Sequence, residues 1–285
     1  MVEHVTIFEV SPRDGLQNEQ NLISAQDKIE LVDKLSDCRF AKIEVTSFVS
    51  PKWVPQMADA TEVMAGINRK SGVSYAALTP NLRGFEAAVA AKCDEVAVFA
   101  SASEGFSQKN INCSIDESLA RFEPVIEAGQ SADIPVRGYV SCVTDCPYDG
   151  PTPPEQVARV SGALIDMGCY QVSLGDTIGA ATPDSAKVML GVVADQVPAV
   201  LLAGHFHDTK GRALDNIEVC LEFGMRVFDA SVAGLGGCPY APGAKGNVAT
   251  ESVVKMLHDR GYETGIDLSR LDDASLFANT LRSQP

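Results

Sequence analysis

Two of the four histidines in the chain stand two residues apart in the segment HFHDTKG, residues 205–211. They follow the apolar run VLLAG, which predicts a buried β-strand. Residues i and i+2 of a strand point to the same face, so His205 and His207 project together. Two protonated imidazoles side by side would repel each other, and a bound metal ion would remove that conflict. Taken alone, this spacing favours a hydrogen-bonded structural pair over a metal site.

Other side chains able to bind a metal follow other predicted strands. Asp14 comes after the first strand in EVSPRDGLQNE, and Asn247 closes the glycine-rich segment GLGGCPYAPGAKGN that follows the last strand. Two imidazoles, a carboxylate and an amide oxygen form a mixed set of nitrogen and oxygen donors. Such a set is typical of an open site for Mg²⁺ or Mn²⁺ and not of a closed structural Zn²⁺ site. Ligand type alone leaves non-haem Fe(II) open.

The elements that must position these side chains alternate regularly along the chain. Eight short apolar runs predict β-strands at residues 4–10, 41–46, 73–78, 95–100, 135–142, 170–176, 200–206 and 227–234. Helical spacing of apolar residues marks the segments between them, and two more helical segments follow the eighth strand. Eight such units in roughly 260 residues predict an α/β fold, a TIM (β/α)8 barrel with a short C-terminal helical extension. A doubly wound open sheet is the alternative.

A closed barrel would make the first and last strands neighbours and collect the chemistry at the carboxyl ends of its strands. Asp14 would then lie one strand away from the strand that carries the histidines. We therefore expect the four candidate ligands to meet at the mouth of a single catalytic domain that spans residues 1–285.

The composition narrows the classes of protein. A formal net charge of −15 disfavours nucleic acid and anionic membranes as partners. The sequence contains no run of 18 apolar residues, so it predicts no membrane-spanning helix. The eight cysteines include no Cys-x-x-Cys pair, which favours reduced thiols. Because the N-terminus shows neither a signal nor a transit pattern, we expect a cytoplasmic protein, or a mature chain that has already been processed.

Eight segments in chain order carry a family resemblance: SPRDGLQNEQ, SFVSPKWVPQMAD, KNINCSIDES, RGYVSC, CPYDG, SLGDTIG, HFHDT and SVAGLGGCPYAPGAKGNVATE. They resemble the hydroxymethylglutaryl-CoA lyase family of the metal-dependent lyase and condensing-enzyme barrels. The resemblance implies cleavage of the acyl-CoA substrate 3-hydroxy-3-methylglutaryl-CoA, or a close 3-hydroxyglutaryl-CoA relative, to acetoacetate and acetyl-CoA. It also implies a divalent cation, no organic cofactor, a homodimer, and a place in leucine catabolism and ketone body formation.

Carried over position by position, the resemblance implies a role for each matching side chain. The metal ligands would be Asp14, His205, His207 and Asn247. The catalytic residues would be Arg13, Asp14, Glu44, His205 and Cys238, with Asp14 or His205 as the base and Cys238 as the acid. Substrate contacts would come from Arg13, Gln17, Ser173, Asp176 and Thr177.

Structural alternatives stand beside these roles. Arg13 would equally suit an ion pair with Asp14 or Glu44, and Cys238 would suit a small apolar filler in a turn. Lys52, Lys109 and Lys245 are candidates for the CoA phosphates or for solvated surface charge. Trp53 is expected to pack beneath its loop.

Two residues after the HFHDT segment, Lys210 and Arg212, depart from the family pattern. Both could alter which acyl group the protein accepts, for example a longer branched 3-hydroxyglutaryl-CoA. The principal alternative function is a Claisen-type acyltransferase that joins acetyl-CoA to a 2-oxo acid. An aldolase for 4-hydroxy-2-oxo acids and a non-catalytic scaffold are further alternatives.

Overall fold

The computed structural model describes residues 2–236 and 246–282. Its strands are β1 (Thr6–Glu9), β2 (Lys42–Ser47), β3 (Ser74–Leu78), β4 (Glu95–Ser101), β5 (Val136–Ser141), β6 (Asp145–Cys146), β7 (Gly150–Pro151), β8 (Gln171–Asp176), β9 (Leu202–Phe206) and β10 (Val227–Ala230). All except β6 and β7 form a closed barrel of parallel strands, in the order β1-β10-β9-β8-β5-β4-β3-β2. The barrel strands are almost fully buried, as expected for a parallel sheet covered by helices.

In the described part of the chain, ten α-helices surround or extend the barrel: α1 (Ala25–Asp37), α2 (Ala60–Gly66), α3 (Leu82–Ala90), α4 (Glu104–Ile111), α5 (Ile115–Ser131), α6 (Pro154–Met167), α7 (Pro183–Val193), α8 (Ala213–Glu222), α9 (Thr250–Asp259) and α10 (Leu268–Arg282). Several begin at a Ser, Thr or Asn whose side chain accepts a backbone N–H of the first turn. Helix α10 packs against α1 and forms the C-terminal extension.

The predicted TIM barrel and its C-terminal helical extension are confirmed. The last strand is shorter than predicted, because the chain turns into a 3₁₀ segment at Val232–Gly234, where Ala233 has φ +55°. The antiparallel pair β6–β7 was not predicted, since two-residue strands carry no periodicity. Within the described ranges, no helix is both long and apolar enough to cross a membrane.

A polar cluster closes the amino-terminal end of the barrel. The Glu95 carboxylate accepts from Lys42 Nζ at 2.7 Å, Ser74 Oγ at 2.7 Å and Tyr170 OH at 2.5 Å. Lys42, Ser74 and Glu95 are each the first residue of their strand. We call these four residues the floor cluster.

Candidate active site

A π-helical turn at the end of β1 carries Arg13 and Asp14 to the mouth of the barrel. The turn spans Ser11–Gly15, and the backbone N–H groups of Arg13, Asp14 and Gly15 all point to the carbonyl oxygen of Val10. Pro12 stands at its start, where a missing N–H costs nothing. Turns of this type recur at functional sites because they aim side chains that a regular helix would not.

Strand β9 brings the two histidines to the same mouth. His205 lies in β9 and His207 just beyond it, and their ring centroids are 5.5 Å apart. His207 forms an antiparallel bridge with Asn247, so the chain that follows the glycine-rich segment runs alongside the histidines. The Asn247 amide donates to Asp14 Oδ2 at 2.8 Å and to Leu235 O at 3.2 Å.

These placements bring together the four side chains that the sequence proposed as ligands. Asp14, His205 and His207 each offer a ligand atom, and the three atoms lie within 4.8 Å of one another. Nδ1 of His207 is buried and has no hydrogen-bond partner among the described residues. A carboxylate, two imidazoles and an adjacent amide, with one nitrogen unsatisfied, suit a divalent cation.

Arg13 links this group to a carboxylate inside the barrel. Its Nε donates to Glu44 Oε2 at 2.6 Å and its Nη1 to Asp14 Oδ1 at 2.5 Å, while the guanidinium lies 5.5 Å from the centroid of the Tyr139 ring. Both ion pairs considered from the sequence are therefore present. Two contacts leave further N–H donors of the guanidinium for a substrate oxygen.

The crowding of charges shifts the pKa values of the cluster in opposite directions. Burial opposes ionisation of Asp14, but Arg13 and the two imidazoles outweigh it and hold the carboxyl pKa well below its usual range. Burial, reinforced by His205, lowers the pKa of His207 to about 4. Burial also disfavours the His205 cation, yet the hydrogen bond to Asp229 and the Asp14 carboxylate raise the pKa of His205.

The predicted substrate-contacting residues are held by other contacts in this structure. Gln17 Nε2 donates to Asp14 Oδ1 at 3.3 Å, and Ser173 Oγ donates to Asp229 Oδ2 at 2.7 Å. Thr177 Oγ1 accepts from a backbone N–H of the loop that follows β5 at 2.8 Å. Burial raises the pKa of Asp176 to about 6, although its oxygens accept from two backbone N–H groups.

Three buried residues near the histidines were missed by the sequence analysis. Asp229 contacts His205 Nδ1 at 3.1 Å, Arg137 Nη2 donates to Asp229 Oδ1 at 2.7 Å, and Arg137 Nη1 donates to Tyr139 OH at 3.1 Å. Burial works against ionisation of Asp229, but the Arg137 guanidinium lowers the pKa of that carboxyl to about 2. Charged residues inside apolar strand runs were the available clue.

Several other candidates lie apart from the described cluster. Cys238 and Lys245 fall in residues 237–245, outside the described part of the chain. Trp53 is 85% exposed, so the prediction that it packs beneath its loop is wrong. Lys52 and Lys109, candidates for the CoA phosphates, are exposed. Lys210 and Arg212, the two departures from the family pattern, are exposed as well.

Glycine is required at position 236, the last described residue before Cys238 in the glycine-rich segment. Gly236 has φ +98°, and a Cβ there would stand 2.7 Å from Asn247 Nδ2 and 3.2 Å from Gly15 Cα. Any larger residue would strain the backbone and press on the amide that contacts Asp14.

Comparisons with a family model, with known sequences and with solved structures all point to the same family. A model of the HMGL-like family matches residues 4–277. The chain is 59% identical over 270 residues to the 3-hydroxy-3-isohexenylglutaryl-CoA/hydroxy-methylglutaryl-CoA lyase of Pseudomonas aeruginosa, covering 95% of this chain and 90% of that protein. It is 58% identical over 275 residues to the mitochondrial hydroxymethylglutaryl-CoA lyase of Gallus gallus, covering 96% and 92%. The crystal structure of the HMG-CoA lyase from Brucella melitensis superposes with a TM-score of 0.98 at 61% identity, covering 99% and 100%.

Proposed function

The chain belongs to the HMGL-like family, and from this premise we propose that it is a carbon–carbon lyase that cleaves 3-hydroxy-3-methylglutaryl-CoA to acetoacetate and acetyl-CoA. The observation that carries the proposal is an identity near 60% to lyases of this name over almost the entire chain. The cluster of Asp14 and the two histidines at the barrel mouth supports it.

The reaction breaks the bond between C2 and C3 of the substrate. The C3 hydroxyl loses its proton and becomes the ketone of acetoacetate, while the bonding electrons pass to the thioester half as an enolate. Protonation of that enolate at C2 gives acetyl-CoA. Three needs follow: a proton acceptor, stabilisation of the enolate charge, and a proton donor.

We place the proton acceptor in the pair formed by Asp14 and His205, whose facing atoms Oδ2 and Nε2 are 3.9 Å apart. A divalent cation held by these two residues together with His207 and Asn247 would acidify the C3 hydroxyl and orient the substrate, an effect worth several kcal/mol. Mg²⁺ or Mn²⁺ is our proposal for its identity, because the donors are mixed and leave room for substrate oxygens.

Arg13 is proposed to stabilise the enolate. Its charge is permanent, since Glu44 and Asp14 outweigh the opposing effect of burial and raise the pKa of the guanidinium. A fixed cation aimed at the thioester oxygen needs no reorganisation as negative charge develops there. Glu44 holds Arg13 from inside the barrel at 2.6 Å and so acts through its orientation.

Cys238 is proposed as the acid that protonates the enolate. A thiol with an ordinary pKa of about 8.5 remains protonated near pH 7, as a donor must. Its place in the glycine-rich segment between Gly236 and Asn247 is adjacent along the chain to the ligand cluster.

Finer features of the proposal rest on the resemblance. Gln17, Ser173, Asp176 and Thr177 are proposed as substrate contacts. Longer branched 3-hydroxyglutaryl-CoA esters are proposed as further substrates, on account of Lys210 and Arg212. We also propose that the protein is cytoplasmic and forms a homodimer. Measuring its mass in solution tests the oligomeric state.

The test is a coupled acetoacetate assay over several 3-hydroxyglutaryl-CoA esters, with Mg²⁺ or Mn²⁺ and with chelator. We expect cation-dependent release of acetoacetate, and a loss of roughly 10²–10⁴-fold in kcat for Cys238→Ser, since a hydroxyl is a far weaker acid. Cys113→Ser, at a buried thiol between α4 and α5, is the matched control.

Two results would contradict the proposal: no turnover of any ester with either cation, or release of free CoA only when acetyl-CoA is supplied with a 2-oxo acid. The second result would identify a Claisen-type acyltransferase.

A further inference from the structure

Asp229 lies directly beneath the proposed ligand His205. The two residues face each other on adjacent strands β10 and β9, in register. Asp229 is 2% exposed, and its Oδ2 lies 3.1 Å from His205 Nδ1. On the other side of the imidazole, Nε2 lies 3.9 Å from Asp14 Oδ2. The ring therefore stands between two carboxylates, one inside the barrel and one at its mouth.

The orientation of the Asp229 carboxylate is set from two sides. Arg137 Nη2 donates to Oδ1 at 2.7 Å, and Ser173 Oγ donates to Oδ2 at 2.7 Å. Arg137 crosses the barrel from β5 to β10 and is 1% exposed. A carboxylate held in this way presents only lone pairs to the imidazole, so the nitrogen that faces it must carry the hydrogen.

Arg137 is itself fixed within the barrel. Its Nε donates to Gln171 Oε1 at 3.1 Å, and its guanidinium lies 4.3 Å from the centroid of the Phe8 ring. A chain of contacts thus runs from the packed interior through Arg137 and Asp229 to His205.

We propose that Asp229 is the positioning residue that selects the tautomer of His205, with hydrogen on Nδ1 and the lone pair of Nε2 directed at the divalent cation. The inference deepens the proposed function and rests on its cation site. Carboxylates that orient a metal-binding imidazole through its other nitrogen typically change metal affinity 10–100-fold when removed. Ser173, predicted as a substrate contact, supports Asp229 in this arrangement.

The first test needs no substitution. In metal-free protein labelled with ¹⁵N, the pattern of two-bond correlations between ring nitrogens and carbon-bound hydrogens identifies the protonated nitrogen of each histidine. His4→Gln and His258→Gln, at exposed positions, assist assignment. We expect His205 to carry its hydrogen on Nδ1. At a pH where the ring carries a single hydrogen, hydrogen on Nε2 would overturn the proposal.

The second test replaces Asp229 by Asn. Because Arg137 would hold the amide oxygen, the amide NH₂ would face Nδ1 and donate to it, which moves the ring hydrogen to Nε2. We expect this change of tautomer and a 10–100-fold weaker affinity for Mn²⁺, measured by calorimetry without substrate. If the variant does not fold, Arg137→Met with Asp229→Leu removes both charges together, which buried pairs tolerate better, and leaves no side-chain acceptor at position 229 for Nδ1. The same 10–100-fold loss of Mn²⁺ affinity is then expected.

Glu95→Gln is the matched control, because Glu95 is also a buried strand carboxylate with a cation and hydroxyl donors as partners. It is expected to leave the tautomer and the Mn²⁺ affinity unchanged. Wild-type affinity in folded Asp229→Asn, or an equal loss in Glu95→Gln, would overturn the inference. If Mn²⁺ affinity behaves as expected but no acetoacetate is released, the inference stands and the proposed function fails.

Discussion

The barrel carries buried charge at both ends, and the two ends differ in how completely that charge is satisfied. In the floor cluster, both oxygens of Glu95 accept hydrogen bonds, and Lys42, Ser74 and Tyr170 supply them. At the mouth, Nδ1 of His207 is buried without a partner among the described residues, and so is Oε1 of Glu44 just inside the barrel. Buried polar atoms are nearly always paired, so an unpaired one calls for an explanation.

This difference separates charge that serves stability from charge that serves chemistry. The floor cluster is complete within the chain and has nothing left to offer a ligand. The mouth combines carboxylates, an arginine and two imidazoles. Some of its buried polar atoms lack hydrogen-bond partners, and an incoming cation or substrate can supply them. Substitutions at the two ends should therefore affect different measurements.

Asp14→Asn should show the largest effect. It removes the charge that faces His205 and Arg13 but preserves the shape of the side chain, so we expect kcat to fall by roughly 10³-fold, corresponding to several kcal/mol. Steady-state acetoacetate release and calorimetry with Mn²⁺ provide the measurement, and urea unfolding provides the control. If the variant retained the wild-type kcat, the charge at the mouth would not serve catalysis.

Glu9 is a buried carboxylate that accepts hydrogen bonds from neutral donors, and the pH dependence of the free energy of unfolding tests its ionisation. Its oxygens accept from Ser11 N at 3.0 Å, Val232 N at 2.9 Å and Thr250 Oγ1 at 2.6 Å, and burial nevertheless raises its pKa from 4.5 to about 7. Because the folded state holds the proton more tightly, this contribution to the free energy of unfolding is complete below pH 4.5 and is lost as the pH rises through about 7.

Over that interval we expect wild type to lose about 3 kcal/mol relative to Glu9→Gln, in which the group cannot ionise. Urea unfolding of both proteins at a series of pH values measures the difference. A difference that does not change with pH would show that Glu9 is ionised in the fold.

Glu95→Gln should affect stability and spare catalysis. It leaves Lys42 without its carboxylate, and since the Lys42 side chain is 29% exposed, we expect a loss of about 2 kcal/mol in the free energy of unfolding, below the cost of a fully buried pair. The value of kcat below the unfolding temperature should stay within about twofold. A catalytic defect as large as that of Asp14→Asn would erase the distinction between floor and mouth.

The sequence predicted the architecture because each barrel strand is a short apolar run and most helices show apolar periodicity. It also predicted that Asp14 and the histidines meet, since barrel closure makes β1 and β10 neighbours. It failed at Ala233, where a left-handed backbone conformation interrupts a strand-like run. Trp53 was mispredicted because a single exposed aromatic side chain leaves no periodicity.

The support beneath the histidines could not be predicted in the same way. Arg137 and Asp229 are 92 residues apart and meet across the barrel, so their contact depends on strand tilt and side-chain length. Each appears in the sequence only as one charged residue within an apolar run. The roles of Cys238 and the substrate-contacting residues stay predictions from the family resemblance.

The hydrogen bond between Asn247 and Asp14 joins positions 233 residues apart. A polypeptide leaves the ribosome from its N-terminus, so Asp14 emerges long before either imidazole, and Asn247 follows last of the four. The final barrel strand must also be synthesised before β1 gains its second neighbour. A nascent chain therefore cannot assemble the full ligand set, or begin to cleave the C2–C3 bond, before residue 247 has left the ribosome.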